Sequence, residues 1–319
     1  MTRLRVKVAQ RSAQGNANLA LRLEPLAGEQ LPTFTAGAHV DVFLPGGLIR
    51  QYSIASAPHQ ADHYELCIKL QAQSRGGSRF IHRQLAEGDE LQISWPRNLF
   101  ALQAAEHHIL MAAGIGITPL LSMAQALFSK NTSFALHYYT RTRDDAAFYQ
   151  RLTEEFPGAD IHLHHSDEGC SPREHVPDDI RSVRPGAQLY LCGPLAFMQR
   201  AQEQASQFGW AATDIHQEAF AAAPTTVMAD DDVFEVQVNS TGAVFAVPPT
   251  QSIAQVLMAA GVDVPLSCEQ GICGACLTGV IAGQPRHLDM VLSEEEQAQG
   301  TQMALCCSRS RSPRLVLDM

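Results

Sequence analysis

The stretch CEQGICGAC, residues 268–276, packs three of the chain's eight cysteines into nine positions with C-x4-C-x2-C spacing, and 29 residues then separate Cys276 from Cys306. Zinc sites usually present two closely spaced ligand pairs about a dozen or more residues apart. Here the gaps are four, two and 29 residues, which is the spacing of a plant-type [2Fe–2S] loop. Such a spacing constrains the fold. Four thiolates must reach two irons, so three come from one loop wrapped round the cluster and the fourth from an element that folds back onto it. Gly271, Gly274 and Ala275 lack bulk, which lets the backbone approach and aim its N–H groups at sulfur. The return segment LCCSRS offers Cys306 and Cys307. Neighbours on an extended segment point to opposite sides, so Cys306 is taken as the fourth ligand and Cys307 as a packed thiol. Ser293 stands three residues ahead of Glu296, the pattern of a capping box, and predicts a short helix in the return path.

The rest of the chain is large enough for further domains. Its 319 residues, 45% hydrophobic and 18% charged, describe an ordinary globular protein of two or three domains. There is no run of eighteen apolar residues, and the N-terminus MTRLRVKVAQ lacks the apolar core of a secretory signal. The chain therefore reads as cytoplasmic, with no membrane contact and with its cysteines reduced or metal-bound. A net charge of −10 argues against nucleic acid, which needs a basic surface, and permits a basic protein partner.

Three textures succeed one another. Residues 1–101 hold short alternating segments (LRVKVAQ, ANLALRLEP, HVDVFL, QYSIAS, HYELCIKL, ELQISW) bounded by turn residues, which predict an antiparallel barrel or sandwich. Residues 102–222 alternate strand and helix: HHILMAAG, then LLSMAQALFSK; SFALHYYT, then a helix over DDAAFYQRLTEEF; DIHLHHSD; AQLYLCGP, then LAFMQRAQEQASQFG. That alternation predicts a parallel doubly wound sheet. AAAPTTVMADDD, poor in bulky residues and acidic, predicts a linker, placed at 223–232 with Asp230–Asp232 solvated. Residues 233–319 open on a hairpin, VFEVQVNS with AVFAVPP, followed by a helix over SIAQVLMAAG that ends at Gly261, and then the thiol loop.

The middle segment carries Gly114-Ile115-Gly116 between a strand and a helix start, with Thr118 and Pro119 where backbone N–H groups face a phosphate. Cys192-Gly193-Pro194 closes a later strand. Ligands of open parallel sheets lie outside the carboxyl ends of strands, and both motifs occupy such ends; the plainer alternative is a pair of tight packing turns. A nicotinamide delivers a hydride, two electrons at once, whereas a [2Fe–2S] cluster takes one, so a flavin is required between them. The N-terminal segment offers RQYS, in which Arg50 can pair with phosphate and Tyr52 and Ser53 alternate along a strand. It also offers SRGGS, in which Gly76 and Gly77 free the backbone to cradle an anion and Ser78 adds a hydroxyl. Lys69, closing a nearby strand, joins the candidate cofactor-binding residues.

RQYS, SRGGS, AGIGITPLLSM, CGP, HQEAF and CEQGICGAC…CC, in this order and along the whole chain, resemble the phthalate dioxygenase reductase family, close to vanillate O-demethylase reductases. The resemblance implies a flavin-binding β-barrel holding FMN, an α/β NADH domain and an α+β ferredoxin-like (β-grasp) domain with a plant-type [2Fe–2S] cluster. It implies that Arg50, Tyr52 and Ser53 contact the flavin and that Gly77 and Ser78 hold its phosphate. Gly114, Ile115, Gly116 and Thr118, with Cys192, Gly193 and Pro194, would line the nicotinamide nucleotide, and Phe220 would lie near the flavin ring unless it is a core residue. The implied function is electron transfer from NADH through FMN and the cluster to a Rieske-type oxygenase acting on an aromatic acid. No side-chain acid or base is then required. A reductase for a different oxygenase, such as one attacking the quaternary amine carnitine, and a zinc-bound nucleotide-binding regulator remain as alternatives.

Two features stand outside this scheme. His162, His164 and His165 in HLHH resemble a metal box, but the sequence sets no acid or cysteine beside them, so they read as a solvated or nucleotide-lining strand end. Arg141 and Arg143, near the expected ribose position, are followed at once by Asp144 and Asp145, which would repel a 2′-phosphate and favour NADH. Cys67 and Cys170 read as inert thiols.

Overall fold

The computed structural model describes residues 3–60, 62–72, 76–173, 175–220 and 233–319. The linker expected at 223–232, with Asp230–Asp232, lies outside the described residues, as do Ser74 and Arg75. The chain falls into two compact units, residues 1–220 and 221–319, and the first contains two sheets. Among the described residues no helix is long and apolar enough to cross a membrane.

All six alternating segments at the N-terminus are strands: β1 (Arg3–Gln14), β2 (Asn18–Pro25), β3 (His39–Leu44), β4 (Leu48–Ser53), β5 (Tyr64–Lys69) and β6 (Glu90–Ser94). They form one antiparallel sheet in the order β4-β3-β6-β1-β2-β5. An isolated bridge from Ile54 to Leu66 joins the two edge strands and closes the sheet into a barrel, which removes the exposed edges a sheet would otherwise present. The inward residues of the alternation, among them Val6, Leu21, Leu23, Val40, Leu66 and Ile93, fill its interior. A short helix, α1 (Gly77–Arg83), follows β5.

The second sheet of this unit is wholly parallel: β7 (His107–Ala113), β8 (Ser133–Thr140), β9 (Asp160–His165), β10 (Ala187–Cys192) and β11 (Ile215–Glu218), in the order β11-β10-β7-β8-β9. Its helices are α2 (Ile117–Ser129), α3 (Tyr149–Glu154), α4 (Asp178–Arg181) and α5 (Leu195–Gln207). Strand residues alternate between two cores. Leu110 and Ala112 pack with α2 and α3, while Ile109 and Met111 pack with Ile180 of α4 and Met198 of α5. The strand order reverses between β7 and β10, so a crevice opens beyond their carboxyl ends.

The helix expected over DDAAFYQRLTEEF is shorter than its sequence. Residues 143–145 form a 3-10 turn, Phe148 takes φ +59°, and only Tyr149–Glu154 are helical. The barrel captures the backbone that a longer helix would need. Asn16 N donates to Asp144 O at 2.8 Å, Gln14 Oε1 accepts from Phe148 N at 3.1 Å, and the Tyr138 hydroxyl accepts from Ala147 N at 3.0 Å. Gly15 permits this approach: a Cβ there would stand 2.2 Å from Asp144 O, and its φ is +66°.

The C-terminal unit contains β12 (Phe234–Val238), β13 (Val244–Val247), β14 (Leu277–Ala282), β15 (Pro285–Arg286), β16 (Gln302–Ala304), β17 (Arg309–Ser310) and β18 (Arg314–Asp318), with α6 (Ile253–Ala259) and α7 (Glu294–Gln299). Five strands make a mixed sheet in the order β13-β12-β18-β14-β16; β12 and β13 are the expected antiparallel hairpin and β12 pairs with β18 in parallel. Ser293 and Glu296 form the expected capping box, the backbone N–H of each donating to the side chain of the other, at 2.8 Å from Ser293 and 3.3 Å from Glu296. This returns the chain towards the thiol loop.

Candidate functional site

The thiol loop between α6 and β14 turns on positive φ at Glu269 (+56°), Gly271 (+73°) and Gly274 (+68°). Three such residues in six force the backbone to curl, and at Gly271 there is also no room for a side chain. A Cβ there would lie 2.5 Å from Cys307 Sγ and 3.0 Å from Asp289 Cα. Backbone N–H groups point at sulfur as expected: Gln270 N donates to Cys268 Sγ at 3.3 Å and Ala275 N to Cys273 Sγ at 3.5 Å. The thiols lie in two pairs. Cys273 donates to Cys268, which holds the Cys268 thiol down to about 7, whereas Cys273 itself is pushed up by that bond. Cys276 donates to Cys306 and is pushed up chiefly by that bond. Four thiols as two pairs, each with backbone donors nearby, are a donor set that fits two irons bridged by sulfide. Cys307 stands outside the two pairs but shares a hydrogen bond with Cys306, contacts the Ser308 hydroxyl at 3.8 Å and packs over Gly271.

In the N-terminal unit the two glycine turns expected to line a nucleotide touch one another. Gly114–Gly116 is a 3-10 turn leading from β7 into α2, with Gly114 at φ +55°. A Cβ on Gly116 would stand 2.2 Å from Cys192 O and 2.8 Å from Gly193 N, and a Cβ on Gly193 would stand 2.9 Å from Ala113 Cβ and from the Phe197 ring. Both turns thus sit at the reversal of strand order. Ile115 packs against the α2 core. Thr118 is buried and its hydroxyl donates to Ile115 O at 3.1 Å, bracing the turn. Pro194 caps the start of α5.

The barrel brings its candidates to the same end. Arg50, Tyr52 and Ser53 lie on β4, with Tyr52 packed on the barrel core. Arg50 runs along Gly77, where a Cβ would lie 2.6 Å from its Cγ; glycine is required there for the arginine to pass. Gly76 takes φ +100°, the Ser78 hydroxyl accepts from Gln71 N at 3.3 Å, and Lys69 stands exposed two residues before Gln71, at the end of β5. Phe220, 37% exposed, follows β11 by two residues.

Two residues absent from the sequence-based list complete this end. Glu218 ends β11 in register with Cys192 and accepts from the Ser53 hydroxyl at 3.0 Å. Burial pushes its carboxyl up to about 8, so it is protonated at neutral pH. His39 pairs with Ser53 in the β3–β4 register; burial, with Arg97 adding to it, pulls its imidazole down to about 3. Among the described residues neither ring nitrogen of His39 nor the amide nitrogen of Gln51 has a hydrogen-bond partner. Buried polar atoms are rarely left so, and orphaned groups beside Arg50, Tyr52 and Ser53 fit a polar planar cofactor. The signal for Glu218 was its place in HQEAF; nothing near His39 in sequence distinguishes it.

A set of paired thiols built for an iron–sulfur cluster, together with nucleotide-type turns at the reversal of a doubly wound sheet, is the equipment of an iron–sulfur oxidoreductase. The comparisons agree. Residues 236–311 match the family described as 2Fe-2S iron-sulfur cluster binding domain, and residues 96–215 match the DmmA-like N-terminal domain of dimethylamine monooxygenase subunits. The chain is 47% identical over 294 residues to a vanillate O-demethylase oxidoreductase of Pseudomonas sp. strain HR199, covering 92% of each. It superposes on the solved structure of phthalate dioxygenase reductase with a TM-score of 0.74 and 36% identity, over 99% of this chain and 98% of the other. It also superposes, with a TM-score of 0.89 and 32% identity over 99% of its length, on 41% of an intact type IV self-sufficient cytochrome P450 monooxygenase. The chain belongs to the phthalate dioxygenase reductase family of oxidoreductases, which sets aside the zinc-bound regulator.

Two predictions follow from this geometry. Cys268→Ser, Cys273→Ser, Cys276→Ser and Cys306→Ser should each remove the [2Fe–2S] absorbance, and Cys307→Ser should keep it; loss in Cys307→Ser with retention in Cys306→Ser would reverse the ligand assignment. For Glu218, the folded carboxyl near 8 lies above its ordinary 4.5. Between those values the unfolded chain has released the proton that the folded one keeps, so this group makes stability fall as pH rises from about 4.5 to 8, by roughly 1.4 kcal/mol per unit at most. Thermal melts of Glu218→Gln against the parent across that window should give a difference that grows in the variant's favour; a constant difference contradicts the protonated carboxyl.

Proposed function

We propose that this protein is the reductase component that takes electrons from NADH and delivers them, by way of FMN and the [2Fe–2S] cluster, to a Rieske-type oxygenase acting on an aromatic acid. The proposed division of labour follows the sequence: residues 1–101 hold the flavin, 102–222 the nicotinamide nucleotide and 233–319 the cluster. A flavin held there would supply a two-electron acceptor that can be discharged one electron at a time, as a one-electron cluster requires.

One observation carries the reading. Glu218 accepts from Ser53 of the barrel and is paired in register with Cys192, whose carbonyl Gly116 abuts. The strand proposed to hold the flavin and the turns proposed to hold the nucleotide therefore meet at one carboxyl. The chain's own part is placement, since hydride transfer depends on reacting atoms held at about 3–3.5 Å with water kept out. Protonated Glu218 presents a neutral face there, and neutral His39 beside it adds no charge. Arg50, passing over Gly77, is positioned to pair with the flavin phosphate, and a guanidinium does so in two-pronged fashion. The vanillate relative, 47% identical, favours an aromatic acid as the substrate of the oxygenase.

For cofactor choice, Arg143 lies over the Tyr149 ring at 4.3 Å, and Asp145 accepts from the Thr142 hydroxyl at 3.1 Å. Arg143 is thus engaged with a ring, and Asp144 and Asp145, which follow it directly, disfavour a 2′-phosphate beside Arg141. Steady-state kcat/KM at fixed ionic strength should favour NADH over NADPH by about tenfold or more, roughly 1.4 kcal/mol; equal use of NADPH would overturn this. Acid extraction should release FMN, and Arg50→Ala should lower flavin content; recovery of FAD would contradict the assignment. The function itself is tested by reconstitution: the purified protein with NADH should support turnover of a vanillate-type Rieske oxygenase, and failure with every aromatic-acid oxygenase tried would refute it.

A further inference from the structure

HLHH is a solvated strand end only at His162, which is exposed. His164 and His165 on β9 are buried, facing Tyr139 and Thr140 of β8 in register, and His165 shares a 2.8 Å hydrogen bond with the Thr140 hydroxyl. His137, in register with His162, stacks on it with ring centroids 4.7 Å apart and planes 7° from parallel. The expectation that no acid stands beside these histidines is corrected twice: Asp160 on β9 lies 2.7 Å from His162 Nε2, and Asp179 Oδ2 of α4 lies 3.1 Å from His137 Nε2.

The geometry points to a divalent-cation site of the zinc type, formed by His137, His162 and Asp179, that ties the paired strands β8 and β9 to α4. One donor atom from each of the three residues lies within 4.8 Å of the other two. Around Zn²⁺ with bonds of about 2.1 Å, tetrahedral donors stand about 3.4 Å apart. Parallel stacked rings do not aim their nitrogens at one point, so closure requires His162, whose side chain is 44% exposed, to turn out of its stack on His137. Two imidazoles and a carboxylate leave a fourth position open, for water or for Asp160, which is 2.7 Å from His162 Nε2.

The surroundings are those of a built ligand set. A metal-bound imidazole is normally oriented through its second nitrogen, and His137 Nδ1 shares a 3.2 Å hydrogen bond with His164 Nε2. His164 is itself stacked on Tyr139, centroids 4.4 Å apart. A ligating carboxylate is likewise held through its other oxygen, and Arg184 reaches Asp179 Oδ1 at 3.5 Å. This set is separate from the cysteine loop and from the glycine turns, and needs neither cofactor.

The test is equilibrium dialysis of the holoprotein against Zn²⁺ without oxygen, with zinc counted by elemental analysis and flavin and cluster absorbance recorded together. The parent should take up one equivalent with both absorbances unchanged, and its melting temperature should rise. His162→Ala, which alters an exposed ring and spares the fold, and Asp179→Asn should each weaken that uptake at least tenfold and abolish the shift. No uptake by the parent, equal uptake by the variants, or uptake that bleaches the cluster would each overturn the site.

Discussion

The N-terminal unit depends on one close approach, the backbone of Gly116 against the carbonyl of Cys192. No side chain fits at Gly116 without displacing this backbone, since its Cβ would stand 2.2 Å from that oxygen, far inside van der Waals contact. The approach brings the ends of β7 and β10 together where the strand order reverses, and α2 begins one residue later. From Cys192 the pairing runs to Glu218, and from Glu218 to Ser53 on the barrel. A hydride acceptor on β4 and a donor at the turns, as proposed above, would thereby be set in one frame.

The C-terminal unit solves a different problem with similar means. A cluster needs thiolates close together and charges compensated, and the loop provides both by curling its backbone so that N–H groups face sulfur. Gly271 makes this possible and also admits the return segment, whose Cys307 fills the space a side chain would take. Glycine thus has the same use in both units, allowing one piece of main chain to lie against another.

Much of this was legible in the sequence, for identifiable reasons. The six barrel strands follow from strict alternation, and the parallel sheet from strands separated by helical stretches. The cysteine spacing marked the thiol loop directly. What escaped was decided by contacts distant in sequence. The helix after β8 is shortened because Asn16 and Gln14 of the barrel take its backbone groups. Glu218 gains its character by burial, which outweighs the opposing hydrogen bond from Ser53, 165 residues away. HLHH does have an acid in sequence, Asp160, 2.7 Å from His162 Nε2, but the second acid, Asp179, is 42 residues from His137 and is delivered by the fold. Local pattern reports elements well, but it does not report which of them meet.

The most direct test of the central claim is the rate of flavin reduction by NADH in a single turnover without oxygen, measured on Gly116→Ala. If the meeting of the two turns seats the nicotinamide, displacing it by the ångström or so that a methyl demands should slow that step on the order of a hundredfold. Flavin content and dithionite reduction of the cluster should be preserved. Flavin reduction at the parent rate, in a variant with full flavin and cluster content, would contradict the account.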